Sequence, residues 1–273
     1  MAAGHKVTVC LLSYRWGPST ALRAINSMVS HSRKQGTVVE VLMGGSALVH
    51  KERNMQLAEA PFDATHLLFL DDDMVPTKDA LERLLAHNMP VVSALCTTRV
   101  PPVRLAVHAY DEKSDQFAPM HYMKPGKVHV GYFGLGAAFL LMDRATADLL
   151  IEDHLSAADW MAANRRMFDR MHVRAEVREK ERARREQIRR TRFLIKDYVL
   201  RVFDFGVTDD EVQFGEDVHV SRNLIRLKIK VAIDPDCVVG HMGEYPWSPD
   251  DVDYSDYTPE MEKADRAALQ GAA

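Results

Sequence analysis

Cysteine is scarce: three residues in 273, Cys10, Cys96 and Cys237, far apart and odd in number. Such a set supports neither a disulfide framework nor a thiolate zinc site. Long apolar runs are missing too. The most apolar stretch, Val130 to Met142, is 13 residues long and broken by three glycines, too short to span a bilayer. No apolar leader follows Met1, since Met1-Ala-Ala-Gly-His-Lys runs straight into a strand-like segment. Excess charge is also small. The 35 Lys and Arg against 39 Asp and Glu leave a net −4, which points to no polyanionic partner of the whole chain. These absences set aside secreted, membrane-spanning and disulfide-stapled proteins and predict a reducing, cytoplasmic setting. What remains is 47% hydrophobic and 27% charged, the composition of a globular chain. At about 150 residues per domain, this length suits one large or two small domains.

The pattern along the chain predicts an α/β fold. Lys6 to Tyr14, Thr37 to Met43, Thr65 to Leu70 and Pro90 to Leu95 are short, apolar or β-branched runs, the mark of strands buried on both faces. Between them lie helix-like segments from Ser19 or Thr20 to about Ser30, from Val49 to Ala60 and from Lys78 to His87. Strand–helix alternation with short loops implies a mostly parallel sheet flanked by helices. Residues 100–130 hold four prolines and read as loops and short strands. Strand-like character returns in Ala137 to Met142, and Asp143 starts a helix to about Ile151. A helix from Asp217 to about Leu227 and a strand from Lys230 to Ile233 follow. After Gly243 the chain is acidic and rich in turn residues, with Trp247, Tyr254 and Tyr257 as anchors if it folds over the body; disorder after about Pro259 suits the same composition. The expected division is a catalytic unit over 1–243 and an acidic extension over 244–273.

The third strand stops on Asp71-Asp72-Asp73. Ligands of open α/β sheets sit beyond the carboxyl ends of the strands, and adjacent carboxylates repel one another unless a counter-charge relieves them. Hard oxygen ligands suit Mg²⁺ or Mn²⁺. Strict alternation places Asp71 and Asp73 on one face and turns Asp72 away, so the expectation is a cation gripping a phosphate-bearing substrate. The same triplet also suits a solvated turn that caps the next helix.

A strand ending in Asp-x-Asp after a βαβα start resembles the GT-A fold of nucleotide-sugar glycosyltransferases, nearest in style to glycosyltransferase family 2. Arg53-Asn54 lies on the helix before that strand, as an Arg-Asn pair does in many of these enzymes. Phe214-Gly215-Glu216-Asp217 resembles the family's Glu-Asp motif, and Val239-Gly240-His241 its C-terminal histidine. The likeness covers about residues 6–243 apart from a basic insertion. It implies an inverting, metal-dependent transfer of a sugar to an acceptor hydroxyl. Ser13, Tyr14, Arg15, Arg53, Asn54, Asp71 and Asp72 would bind the donor, and Asp71, Asp73 and His241 would hold Mn²⁺ or Mg²⁺. Asp217, or Glu216 in its place, would take the acceptor proton. Gly134, Leu135 and Gly136 would line the acceptor side. The family often places an Asp after the second strand to read the base. Gly44-Gly45-Ser46 stands there instead, which leaves the base unspecified; the resemblance favours a UDP-sugar over a GDP-sugar.

Other patterns compete with these. Asp217 also suits a helix N-terminus on electrostatics alone, and a lone histidine such as His241 is often structural. Gly131, Gly134 and Gly136 lack the strand–Gly–helix context of a dinucleotide motif. From Arg165 to Arg201 there are 14 Lys or Arg and 6 Asp or Glu, a local charge of +8. That segment suits a solvated helix held by Glu–Arg pairs. It equally suits a platform for a nucleic-acid acceptor, with a hydroxymethyl base in DNA as the acceptor class. Two rival functions stand beside glycosyl transfer: nucleotidyl transfer onto a sugar phosphate, and non-enzymatic nucleic-acid binding through the basic helices. Oligomeric state has no signature in the chain.

Overall fold

The structure is a computed structural model that describes residues 4–13, 18–45, 48–98, 102–154, 202–204, 206–207, 213–243, 246–248, 252 and 257–271. Tyr14, Arg15, Ser46, Tyr254 and the basic segment 165–201 lie outside the described residues. The elements are β1 (Lys6–Leu12), α1 (Ser19–Lys34), β2 (Val38–Gly44), α2 (Val49–Glu59), β3 (His66–Asp71), β4 (Met74–Pro76), α3 (Ala80–Ala86) and β5 (Val91–Leu95). Next come β6 (Val107–Asp111), β7 (Gln116–Pro119), β8 (His129–Gly131), β9 (Phe133–Leu135), β10 (Phe139–Asp143) and α4 (Arg144–His154). The chain ends with β11 (Gly206–Val207), β12 (Gln213–Phe214), α5 (Glu216–Arg226), β13 (Val231–Met242), β14 (Pro246–Trp247) and α6 (Pro259–Gly271).

The fold is α/β, as the alternation implies. Its main sheet runs β14-β13-β5-β10-β3-β1-β2, with β4 and β8 paired to β13 off that path. β2, β1, β3, β5 and the first half of β13 point the same way, whereas β10 is antiparallel to both β3 and β5. The sheet is thus mostly parallel, as expected, with β10 the reversed strand at its centre. The chain leaves the carboxyl end of β5, forms a separate sheet in the order β7-β6-β9, and re-enters the main sheet from that same end.

Two apolar cores lie on the two faces of the main sheet, and period-2 alternation allots residues to each. Val7, Val9 and Leu11 of β1 and Leu68 and Leu70 of β3 pack with Ile25 and Met28 of α1 and Leu81 and Leu84 of α3. Cys10, Leu67 and Phe69 face the other way, toward Leu57 of α2, Leu150 of α4 and Leu224 of α5. The three cysteines are buried free thiols, and burial pushes those of Cys10 and Cys96 up to about 12. Asp143 accepts the Thr146 N–H at 2.7 Å, the cap its position before α4 predicts.

Two elements exceed the sequence expectation. β13 runs to Met242 because a register shift between Asp234 and Val238 lets one strand pair with β5 and then, past the shift, with β4. The tail forms a helix from Pro259 instead of ending in disorder. Its Asp265 is 4% exposed and accepts the N–H groups of His121 and Tyr122 and the hydroxyl of Tyr257. Among the described residues no helix is long and apolar enough to cross a membrane.

Replacing Asp265 by Ala strands three donors, each worth about 1–3 kcal/mol when left buried and unmet. The expected outcome is faster tryptic cleavage within α6 at unchanged far-UV circular dichroism, read by limited proteolysis and mass spectrometry.

Candidate active site

The carboxyl ends of β1, β2 and β3 meet in register: Leu12 stands beside both Gly44 and Asp71. The Ser13 N–H donates to the Gly44 carbonyl at 2.8 Å, and the Asp72 N–H to the Leu12 carbonyl at 3.1 Å. Gly44 is required by close approach, because a Cβ there would fall 2.0 Å from the Glu52 carboxylate. The three aspartates part at this edge. β3 ends at Asp71 and a turn follows at Asp72-Asp73, so the alternation that would put Asp71 and Asp73 on one face does not extend through them. Asp71 is held by Arg53 (2.8 Å), Asp72 accepts the Ser13 hydroxyl (2.6 Å), and Asp73 lies 3.4 Å from His241. Burial pushes the Asp72 carboxyl up against the pull of the Ser13 hydroxyl, and repulsion from Asp73 and Asp71 adds to the rise.

Arg53 comes from α2, a helix that buries Glu52, Arg53, Asn54 and Gln56 beside Leu57 and Ala58. The Arg53 side chain is 4% exposed and grips two carboxylates, Asp71 at the end of β3 and Glu216 at the start of α5, each at 2.8 Å. Burial works against its charge, but the fields of Asp71, Glu216 and Asp217 outweigh burial and hold the guanidinium above its ordinary range. Its cation also faces the Phe203 ring at 5.9 Å. Asn54, expected beside it in a donor site, is 5% exposed, and both ends of its amide are spent on the Phe203 backbone. It is a buried clamp on that segment. Gln56 likewise ties α2 to the Leu11 and Leu42 carbonyls.

His241 reaches Asp73 because β13 and β4 pair antiparallel, His241 against Met74, and the Met242 N–H donates to the Asp73 carbonyl at 2.8 Å. The imidazole Nδ1 lies 2.7 Å from the Thr97 carbonyl. A carbonyl only accepts, so Nδ1 carries the proton, and in the neutral ring Nε2 turns a lone pair toward Asp73 Oδ2. A backbone carbonyl behind a histidine is how proteins aim an imidazole at a cation. No group of three His, Cys, Asp or Glu with metal-binding geometry exists among the described residues. The expected set of Asp71, Asp73 and His241 is thus not assembled as a three-residue cluster: Asp71 turns to Arg53, and Asp73 and His241 stand together as a pair.

Opposite this edge stands the first turn of α5, where Glu216 and Asp217 are half-buried. Glu216 is committed to Arg53. Asp217, the second residue of α5, accepts the N–H of its neighbour Val218 at 2.7 Å, while Gly215 stands at the N-cap with no side chain to cap it. The Ser221 hydroxyl donates to the Asp217 carbonyl (2.8 Å) and accepts the Leu135 N–H (3.2 Å), binding α5 to β9. Gly134 is packed under Phe117, Leu135 is buried in the core, and only Gly136 has open space around its Cα. His108 of β6 stands across from Gly134. Burial lowers its pKa below 6.5 despite the pull of Asp217. Nothing in the sequence singled out His108, because its place beside β9 depends on a pairing between strands far apart in the chain.

No protein-family model matches the chain, and no curated protein sequence matches it. Solved structures do show likeness. One is the catalytic domain of Drosophila β1,4-galactosyltransferase 7 in complex with xylobiose, at 14% identity over 54% of this chain and 52% of that one, TM-score 0.34. Another is GalNAc-T7 with UDP, GalNAc and Mn²⁺, at 11% identity over 90% and 45%, TM-score 0.47. A third is CMP:2-keto-3-deoxy-manno-octonic acid synthetase complexed with CTP, at 10% identity over 98% and 99%, TM-score 0.36. The chain spans about half the length of the first two.

Two outcomes follow from this geometry. Arg53→Met leaves Asp71 and Glu216 facing each other without their shared cation and lowers stability by about 3–5 kcal/mol, read from urea midpoints. Arg53→Lys does not restore it, since an ammonium cannot fork to two carboxylates. In proton NMR, His108 titrates below 6.5, and Asp217→Asn moves it further down, because removing a neighbouring anion disfavours the imidazolium.

Proposed function

We propose that this protein is a metal-dependent glycosyltransferase of the GT-A type, moving a sugar from a nucleoside-diphosphate donor to an acceptor hydroxyl with inversion. The observation that carries this reading is the Arg53 clasp. One buried guanidinium bonds the carboxylate at the end of β3 and the first residue of α5, so Asp71-Asp72-Asp73 and Glu216-Asp217 form one site. The Asp73–His241 pair supplies the second support.

Asp73 and His241 would hold Mn²⁺ or Mg²⁺, whose charge would offset that growing on the departing diphosphate. Ser13 and Asp72 border the nucleoside beyond β1, and Asp71 is oriented by Arg53 toward the donor. Asp217, the acid in the first turn of α5 that Arg53 does not bond, accepts the proton of the acceptor hydroxyl. The acceptor oxygen forms its bond to the anomeric carbon as the bond from that carbon to the diphosphate oxygen breaks, and the electron pair leaves with the nucleoside diphosphate. A base on the face opposite the leaving group gives inversion. The acceptor is a hydroxyl compound admitted past Gly136.

Calorimetric titration of UDP and GDP with and without Mn²⁺ tests the donor half. Metal-dependent binding in the wild type and its loss in Asp73→Ala are expected. Absence of nucleotide binding under every metal condition would sink the reading. Asp217→Asn keeps donor binding and lowers turnover by about 10²- to 10⁴-fold, whereas Glu216→Gln acts first on stability through Arg53.

A further inference from the structure

His108 is a titratable group on which Asp217 acts and which the proposed chemistry leaves unused. It is paired directly across from Gly134, so both positions lie on one face of the small sheet. Gly134 brings no side chain to that face. A Cβ there would come within 2.9 Å of the Phe117 ring and 3.4 Å of the His108 Cβ. One residue further along β9, the Leu135 N–H meets Ser221, whose hydroxyl bonds back to the Asp217 carbonyl. The first turn of α5 is therefore fastened to β9 next to the residue His108 faces. Arg222, one turn further on, stacks over Phe117 at 5.4 Å and pairs with Asp115 at 3.1 Å, walling off that side. The opposite side, at Gly136, is open.

The imidazole is half-buried, and among the described residues neither ring nitrogen has a hydrogen-bond partner. Through Ser221 the turn that carries Asp217 is held to Leu135, the neighbour of the residue His108 faces, and Asp217 acts electrostatically on both His108 and Arg53. A neutral imidazole offers one N–H and one lone pair. Building on the transferase reading above, we propose that His108 is an acceptor-orienting residue: its N–H bonds the attacking hydroxyl oxygen while Asp217 takes that hydroxyl's proton. The oxygen is then fixed by two groups, with its remaining lone pair directed at the anomeric carbon. His108 begins and ends the step neutral, and the proton resides on Asp217.

The test uses the full chain with Mn²⁺ and, in turn, UDP-glucose, UDP-galactose, UDP-N-acetylglucosamine, UDP-N-acetylgalactosamine and GDP-mannose, with water as the acceptor. Release of the nucleoside diphosphate is followed. His108→Ala is expected to lower kcat for donor consumption by about 10- to 100-fold with donor KM and UDP affinity within twofold of wild type. His108→Gln, which keeps an N–H donor, recovers part of the loss, and His108→Phe recovers none. An unchanged kcat in His108→Ala, or a His108→Phe variant as active as His108→Gln, would overturn the assignment while the transferase reading stands. Equal losses in kcat and in UDP affinity would mark a merely structural role and overturn it too. If the wild type releases no nucleoside diphosphate from any of these donors, the transferase reading itself fails and the assignment falls with it. Should the Ala variant misfold, the Gln and Phe pair decides alone.

Discussion

The buried guanidinium of Arg53 is the constraint on which the rest of the site depends. It comes from the middle of α2 and joins the last residue of β3 to the first residue of α5, elements separated by most of the chain. Replacing such a cluster by apolar residues is often neutral or favourable, so stability alone does not explain its presence. Its geometric effect is larger. With Arg53 in place, the carboxyl edge of the sheet and the helix carrying Glu216 and Asp217 hold one relative position. The surrounding contacts serve the same end: Asn54 and Gln56, the neighbours of Arg53 on α2, lock that helix to the 203 segment and to the ends of β1 and β2.

Around that clasp the charges are sorted by backbone geometry. The turn after β3 sends three consecutive carboxylates to three partners, and each partner belongs to a different element. Ser13 extends β1, Arg53 lies on α2, and His241 lies on the second half of β13. The register shift that lengthens β13 lets the strand pass from β5 to β4 and carry His241 to Asp73. A straight strand paired only with β5 would not reach that turn. The reversed β10 and the small β7-β6-β9 sheet belong to the same arrangement, because the chain leaves the carboxyl end of β5, builds that small sheet and returns as β10 from the same end.

Legibility in the sequence follows the range of each interaction. β1, β2, β3 and β5 and the helices between them were readable because period-2 and helical patterns are local. The aspartate triplet, Glu216-Asp217 and His241 were readable as chemical types placed after strands or at a helix start. Asn54 shows the limit: its motif position suggests a ligand contact, but its burial commits it to the Phe203 backbone. His108 shows the converse, since no motif marks it and only the pairing of β6 with β9 sets it across from Gly134. The α6 helix was hidden by the acidic composition around it, and its order depends on one buried carboxylate, Asp265, meeting donors more than a hundred residues away.

By itself the sequence determined the α/β class, the two-sided burial of the central strands and the kinds of functional group available at their ends. Those properties rest on side-chain periodicity within single elements, which needs no knowledge of partners. Tertiary structure alone decided which carboxylate meets which base. Arg53 with Glu216, His241 with Thr97 and Asp73, and His108 with Gly134 are contacts across chain closures that local pattern does not encode. They form because the sheet order and the β13 register shift bring distant strand ends to one edge, where burial favours polar groups that meet partners.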